Sequence, residues 1–423
     1  MRPSNTSTPL KKFILHLHPY KIDSRATKFN RTFGLGGIAA LTLTILFITG
    51  LFIKFIYVPD ASKAYDSMEH FQSGYLFGQF LRNLHHWSAN LLILVAFLHL
   101  VRVFYSMSIF HERRKNWQYG LILMLLVVCS CFTGYLLPWD QLSYWAVTIV
   151  TGMFEYIPLV GHKLAQVLLD GNEIGEQTLL RFYHFHTTLL PLLLVVLITI
   201  HFWLIRKAGG IALPQADSEL VETHPNLTYR EAYVALLVLI VLFLLAMFVD
   251  APLHGKANPL QSPNPTKAPW YFLGFQELLI NVHPLFAAFL IPLAVTLFFV
   301  SIPFLNYNQL NTGQWFHSET GKTMTIWSAA FAVLFTFVFI LLNDKVFDFS
   351  RRLPDWPGWI AGGILPCLLY GLPTAAFVNY CRKKFGAVKI EVVISLVTII
   401  LCSYVTMLFI SWFLRGEGMQ LIF

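Results

Sequence analysis

The sequence predicts an all-α polytopic membrane protein of about nine transmembrane helices, a four-helix bundle followed by a second helical half. Three observations carry this. Of 423 residues, 56% are hydrophobic and only 12% are charged, which is not the composition of a soluble domain. Apolar runs of about 20 residues, long enough to cross a bilayer, recur along the chain. Two of these runs carry histidine pairs at matched spacing, His85 with His99 and His186 with His201.

In chain order, residues 1–32 form a polar, basic surface segment containing Lys11, Lys12, Lys21, Arg25, Lys28 and Arg31. The stretch ILHLHPYKI (14–22) is expected to lie as a surface helix. No cleavable signal peptide is read, because the first apolar run is a full span. Spans A to D follow at about 33–57, 79–105, 117–137 and 181–205, and together residues 33–206 make the four-helix bundle. The polar segment 207–230, which carries Gly and Pro, is read as a linker. The second half, 231–423, holds spans E to I at about 231–250, 284–304, 324–343, 357–379 and 390–414. Between E and F lies a long loop, 251–283. No internal repeat or low-complexity tract is evident.

The net charge of +8 does not point to nucleic acid, because the basic residues sit in short loops between spans. If every span crosses, the N-terminus, Arg113-Arg114-Lys115, Arg206-Lys207 and Arg382-Lys383-Lys384 share one side, expected to be the cytoplasm. Arg351-Arg352 falls on the other side. The five cysteines (Cys129, Cys131, Cys367, Cys381, Cys402) lack metal-ligand spacing, and there is no C-x-x-C-H for covalent haem attachment.

The histidine spacing is geometric evidence. At about 100° and 1.5 Å per residue, a 14-residue step falls roughly 40° short of four turns and climbs roughly 21 Å. A 15-residue step overshoots by roughly 60°. Each pair therefore lies near one helix face, with one histidine near each end. Two such helices side by side give two bis-histidine sites at two depths, and imidazole is an axial haem ligand. Pairings through His86 or His184 point off the face. With the basic side inside, His85 and His186 fall towards the outer face, and His99 and His201 towards the inner. The other reading is that these are membrane histidines satisfied by neighbouring helices.

Span A carries Gly36 and Gly50, and span C carries Gly120 and Gly134, each pair 14 apart like the first histidine pair. Such glycines either clear room at the haem levels or serve ordinary small-residue helix packing. Arg82 and Arg102 lie one turn from His85 and His99. They fit a haem propionate partner or plain snorkelling to the interface.

At these residues the chain resembles the cytochrome b family, the quinol-handling subunit of cytochrome bc complexes. The similarity covers about residues 30–300 and includes RNLHHWSANLLILVAFLHLVRVF, GYLLPWDQLSYWAVTIVT, RFYHFHTTLLPLL and HFWLIRK. The 15-residue step and the phrase around His201 resemble the chloroplast-type branch, here with both halves fused in one chain. The resemblance implies two haem b groups, a low-potential one on His85 and His186 and a high-potential one on His99 and His201. It implies quinol oxidation at an outer site and quinone reduction at an inner one, coupled to proton translocation. Its implied partners are a Rieske iron–sulfur protein, a c-type cytochrome or other acceptor, and a second copy in a homodimeric complex. The expected location is a bacterial cytoplasmic membrane with the N-terminus inside.

Two departures matter. The chloroplast branch tethers a third haem through a cysteine where this chain has Gly34, so no covalent third haem is expected. The family's Pro-Glu-Trp-Tyr motif reads Ala268-Pro269-Trp270-Tyr271 here, a form that resembles menaquinol users. Pro269 cannot take a proton. Trp270 and Tyr271 remain as quinol-site residues. Glu277 and His283 are the candidate proton acceptors, since a carboxylate in an apolar setting can act as a base; Glu277 is otherwise a structural carboxylate. Tyr144 and Trp145 line the quinol pocket or belong to an interfacial aromatic belt. Asp140 is read as loop surface. For the inner quinone site, Arg206, Lys207 and Asp23 are candidates, although orientation alone explains the two cations. The last 120 or so residues carry no motif that converts to chemistry.

Two other functions compete with this one. One is a dihaem, quinone-linked electron conduit of another respiratory complex without a Rieske partner. The other is a proton-coupled transporter whose histidines relay protons.

Overall fold

A computed structural model describes residues 19–171, 173–214, 218–308 and 310–422. Two short strands, β1 (Lys21–Asp23) and β2 (Leu220–Glu222), pair antiparallel with Ile22 opposite Val221. The helices in chain order are α1 (Leu35–Lys54), α2 (Ala64–Gly74), α3 (Gly78–Tyr105), α4 (His111–Leu136), α5 (Gln141–Met153), α6 (Gly161–Leu168) and α7 (Glu176–Lys207). They continue as α8 (Thr228–Phe248), α9 (Leu273–Asn281), α10 (Leu285–Phe304), α11 (Glu319–Arg352), α12 (Ile360–Phe385) and α13 (Lys389–Phe413). Among the described residues, nine of these are long and apolar enough to cross a membrane: α1, α3, α4, α7, α8 and α10 to α13. Each of the nine expected spans matches one of these helices, with ends shifted by up to nine residues.

The chain divides into two compact units. The first runs to Pro138 and adds Leu179–Leu253 and Asn311–Gln314. Here α3 packs along α1, α7 packs along α4, and α8 packs on α3. Ile45, Leu84, Leu242 and Ala246 form one apolar cluster. Polar contacts tie α8 to α3 as well. Asn83 donates to the Ala246 carbonyl (3.0 Å) and to Asp250 (2.9 Å), and the Trp87 indole donates to the Val249 carbonyl (2.8 Å).

The boundary expected at 207–230 is thereby corrected: α8, read as span E of the second half, groups with the histidine bundle because its buried face meets α1 and α3. The segment 207–230 also does more than link. Through β2 it pairs with the N-terminal segment, and Arg230 donates to the Thr27 carbonyl (2.7 Å). Of the expected surface helix at 14–22, residues 14–18 lie outside the described residues, while Lys21 and Ile22 are in strand β1.

The second unit comprises Trp139–Thr178, His254–Leu310 and Trp315–Phe423. Helices α11, α12 and α13 share a polar seam inside an otherwise apolar bundle. The Ser328 and Ser395 hydroxyls meet at 2.6 Å, and Tyr370 bonds both Thr336 (2.8 Å) and Ser403 (2.6 Å). Hydroxyls that bond across helices satisfy each other where water is absent.

Four spanning helices contain a π-turn: Phe185–Leu189 in α7, Leu285–Leu290 in α10, Asn343–Phe347 in α11 and Ile360–Ile364 in α12. Those in α7, α10 and α12 are followed two residues later by a proline: Pro191, Pro292 and Pro366. Proline cannot donate to the carbonyl four residues back and crowds it. The preceding turn widens and takes up about one extra residue.

Candidate functional site

The two levels form within the first unit. The His85 and His186 rings stand 6.3 Å apart, centre to centre, at 72°, and the His99 and His201 rings 6.5 Å apart at 76°. Each gap leaves room for one haem iron, which His85 with His186, and His99 with His201, would hold through imidazole nitrogen. The 15-residue step in α7 works because His186 lies in the π-turn, which absorbs about one residue, so the step turns like a 14-residue one. Among the described residues, no such ring pair joins His86 or His184 to another histidine; their rings lie edge-on to Trp87 and Tyr183.

Hydrogen bonds orient the rings. The Thr49 hydroxyl donates to the Ile45 carbonyl (2.8 Å), so its oxygen accepts from His85 Nδ1 (2.8 Å). His186 Nδ1 donates to the Ser130 carbonyl (2.9 Å). With the proton on Nδ1, a neutral imidazole keeps its Nε2 lone pair for a metal. The Asn116 backbone carbonyl neighbours His201 Nδ1 without a well-formed hydrogen bond.

The four glycines face these rings. A Cβ at Gly50 would come within 3.2 Å of His85, and one at Gly36 within 3.4 Å of His99. At Gly120 it would lie 3.9 Å from His201, and at Gly134 it would overlap His186. Gly134 and Gly50 make room for an imidazole, Gly36 lies at contact distance from one, and Gly120 leaves space beside His201; the sequence suggested room for a macrocycle edge. Gly34, in a left-handed conformation at φ +67°, precedes α1, and a Cβ there would crowd Val234 at 3.2 Å.

The arginines bind protein carbonyls. Arg82 is buried and donates to the carbonyls of Ala251 (2.8 Å) and Pro252 (2.6 Å) and to Gln72 (2.5 Å). Arg102 Nε donates to the Arg31 carbonyl (2.7 Å).

The quinol-loop candidates lie in the second unit. Pro269 precedes a 3₁₀ turn, Trp270–Phe272, in which the Trp270 and Tyr271 rings sit edge-to-face at 5.6 Å. On α5, Tyr144 is buried against Trp139, and burial raises its phenol's pKa. The Trp145 indole donates to the Asn258 carbonyl (3.2 Å). His283 is half-buried with Tyr156 edge-on at 5.8 Å, and burial lowers its pKa. It lines a cavity of about 230 Å³ with Asn281, Asn343, Asp348 and Ser350.

Three expectations are corrected. Glu277 is not a free base: it is fully buried, its Oε1 accepts from Arg415 (2.6 Å) and Asn281 (2.9 Å), and its Oε2 accepts from Arg415 Nε (3.1 Å). Asp140 is not loop surface: it is buried, caps α5 by accepting from Ser143 N (2.9 Å), and accepts from His254 N (3.1 Å). Asp23 is not available as a proton donor. It pairs with Arg25 (2.6 Å) and accepts from Ser218 (2.6 Å), and the Arg25 guanidinium holds its carboxyl well below the usual carboxylate range. Arg206 and Lys207 end α7 exposed, with Lys207 over the Trp203 ring at 5.3 Å.

Sequence reasoning missed Thr49, Ser130, Tyr404 and Arg415. Thr49 stood one residue before a glycine already singled out. Nothing local marked Arg415, whose partner is 138 residues away.

Residues 22–209 match the family model described as Cytochrome b/b6/petB. The cytochrome b6 of Synechococcus sp. (strain JA-3-3Ab) is 40% identical over 200 residues, 46% of this chain and 93% of that protein. The cytochrome b6 of Porphyra purpurea is 41% identical over 175 residues, 41% of this chain and 81% of that protein. Among solved structures, a chain of a "Hyperthermophilic respiratory Complex III" shares the fold with a TM-score of 0.69 at 23% identity, covering 88% of this chain and 95% of that one. Members of the matched family typically bind two b haems. With paired histidines at two levels and these relatives, the chain belongs to the cytochrome b family, the membrane subunit of bc-type, quinol-linked electron-transfer complexes.

Proposed function

We propose that this chain oxidises quinol and reduces quinone in a Rieske/cytochrome b complex, with transmembrane electron transfer coupled to proton translocation. The observation that carries this reading is the pair of histidine gaps, 6.3 and 6.5 Å, at two levels of one bundle. His85 and His186 hold the low-potential haem on the outer side, and His99 and His201 hold the high-potential haem on the cytoplasmic side. Bound haem supplies a reversible one-electron iron couple at each level. The chain supplies Nδ1 acceptors at Thr49 and Ser130 that orient His85 and His186, and an apolar, water-poor surround at both levels. Arg82 and Arg102, one helical turn from His85 and His99, are the haem propionate partners.

Tyr144, Trp145, Pro269, Trp270 and Tyr271 bind quinol, and Tyr271 and His283 serve proton release now that Glu277 is committed to Arg415. Arg206 and Lys207 serve the inner quinone site. Pro269 favours menaquinol. The partners are a Rieske protein, a c-type cytochrome or other acceptor, and a second copy of the complex. The setting is a bacterial cytoplasmic membrane with the N-terminus inside.

The test is a pyridine haemochrome assay of the purified chain. Two b haems per chain are expected, and His99→Ala and His201→Ala should each lose the same one. Absence of b haem would overturn the reading and favour a proton-relaying transporter. A second reading, a dihaem quinone-linked conduit of another respiratory complex, draws on Pro269 standing where the motif carries glutamate. Co-purification of a Rieske protein and inhibition by quinol analogues would exclude it.

A further inference from the structure

In the second unit, the final helix and the tail after it hold the segment that carries Trp270 and Tyr271, with contacts before, within and after the turn. Before it, Lys267 Nζ donates to the Trp412 carbonyl (2.9 Å), and the Gly418 amide donates to Asn264 Oδ1 (2.6 Å). Within it, the Tyr404 hydroxyl donates to the Tyr271 carbonyl at 2.5 Å. After it, Gly274 lies against Tyr404 so closely that a Cβ would sit 2.8 Å from the Tyr404 carbonyl and 2.9 Å from its ring. One helical turn further on, Arg415 closes a buried ion pair on Glu277, with side chains 1% and 0% exposed, and its Nη1 reaches Asp344 at 2.9 Å.

These contacts add to local ones. The Phe272 amide closes the turn on the Pro269 carbonyl (2.8 Å), and Gln276 bridges the Ala268 amide (2.9 Å) and the Thr266 carbonyl (2.7 Å). The contacts from α13 and its tail set where that locally closed segment sits. An Arg–carboxylate pair is directional, because the planar fork accepts few geometries. The ion pair holds α9 at its middle, and the Tyr404 hydroxyl holds the peptide of Tyr271.

We propose that α13 and its tail position the Trp270–Tyr271 turn for quinol, with Tyr404 and Arg415 as positioning residues. This deepens the quinol reading of that turn and rests on it. The role gives the last stretch of the chain, which shows no motif, a place in the reaction.

The experiment uses the whole complex in native membranes and a short-chain naphthoquinol as substrate. Tyr404→Phe removes one hydroxyl and keeps the ring, so folding is retained. Its KM should rise roughly three- to tenfold, the range that one hydrogen bond's net worth converts to. Its kcat should stay within about twofold, and the haem spectrum should not change. Backbone hydrogen exchange across 264–277 should quicken. Arg415→Met should show a larger rise in KM, and Arg415→Lys, which keeps the charge, should recover part of it.

Unchanged exchange in Tyr404→Phe overturns the clamp. Faster exchange with an unchanged KM overturns its role in quinol positioning. A wild-type complex that holds both haems yet oxidises no naphthoquinol sinks the quinol reading itself, an outcome read from a different measurement.

Discussion

His186 and His201 lie fifteen residues apart on α7 and still face the partners of a fourteen-residue pair, His85 and His99, because His186 sits in a π-turn. Pro191 causes that turn by withholding an amide from the carbonyl four residues back. The apparent mismatch between the two spacings is thus resolved inside the helix.

A deletion follows from this. Removing Leu189 should convert the π-turn to a regular turn with a fourteen-residue step, and both b haems should remain by pyridine haemochrome. Inserting one alanine after Leu189 should rotate His186 by about 100° and cost the haem at the His85 level. Loss of haem in the deletion variant would contradict the bulge account.

The glycines differ in the room they leave. Gly134→Ala drives a methyl into the His186 ring, whereas Gly120→Ala finds 3.9 Å of space beside His201. Haem content should fall from two to one in the first variant and stay at two in the second. Equal loss in both would mean that the glycines serve helix packing.

Thr49 accepts from His85 Nδ1, which would make that imidazole a stronger donor to a bound iron. Thr49→Val removes the acceptor while keeping the shape. Redox titration should show one haem shifted upward in potential by on the order of tens of millivolts, with the other unmoved. A downward shift, or a shift in both, would count against this bond.

The Asp23–Arg25 pair carries a pH dependence. A carboxyl whose folded pKa is depressed contributes stability above its unfolded pKa, about 3.9, and that contribution is lost as pH falls below it. Protection factors of the β1 and β2 amides, exchange corrected for its intrinsic pH dependence, should be larger in the wild type at pH 7 than at pH 3. In Asp23→Asn the difference should shrink. Quinone-linked turnover of this variant at pH 7 should stay within about twofold of wild type, since Asp23 is an ion-pair partner and no proton donor. A tenfold loss of turnover with the β1–β2 pairing intact would restore the proton-donor role.

Glu277→Gln should behave as a structural variant. It leaves Arg415 buried with only Asp344 as counter-charge, and breaking a buried pair costs up to about 3–5 kcal/mol. Thermal inactivation of the complex should occur at lower temperature, and the pH profile of quinol oxidation should keep its shape. A stable variant with an altered pH profile would return Glu277 to the role of base.

The sequence by itself determined the nine spans, the histidine pairing and the glycines that accompany it. These properties are local or periodic: hydropathy is summed over one helix, and a spacing of fourteen residues sets a face without reference to the rest of the chain. Tertiary structure alone decided what the charged groups do. Glu277 read as either a base or a structural carboxylate until Arg415, 138 residues later, closed on it. Asp140 read as surface until the His254 amide covered it, and Asp23 as a proton donor until Ser218 and Arg25 bound it. The fifth span joined the histidine bundle because its buried face meets Leu84 and Ile45. A charge inside a membrane protein has its role set by its partner, and those partners come from segments far away in sequence, brought close only when the helices pack.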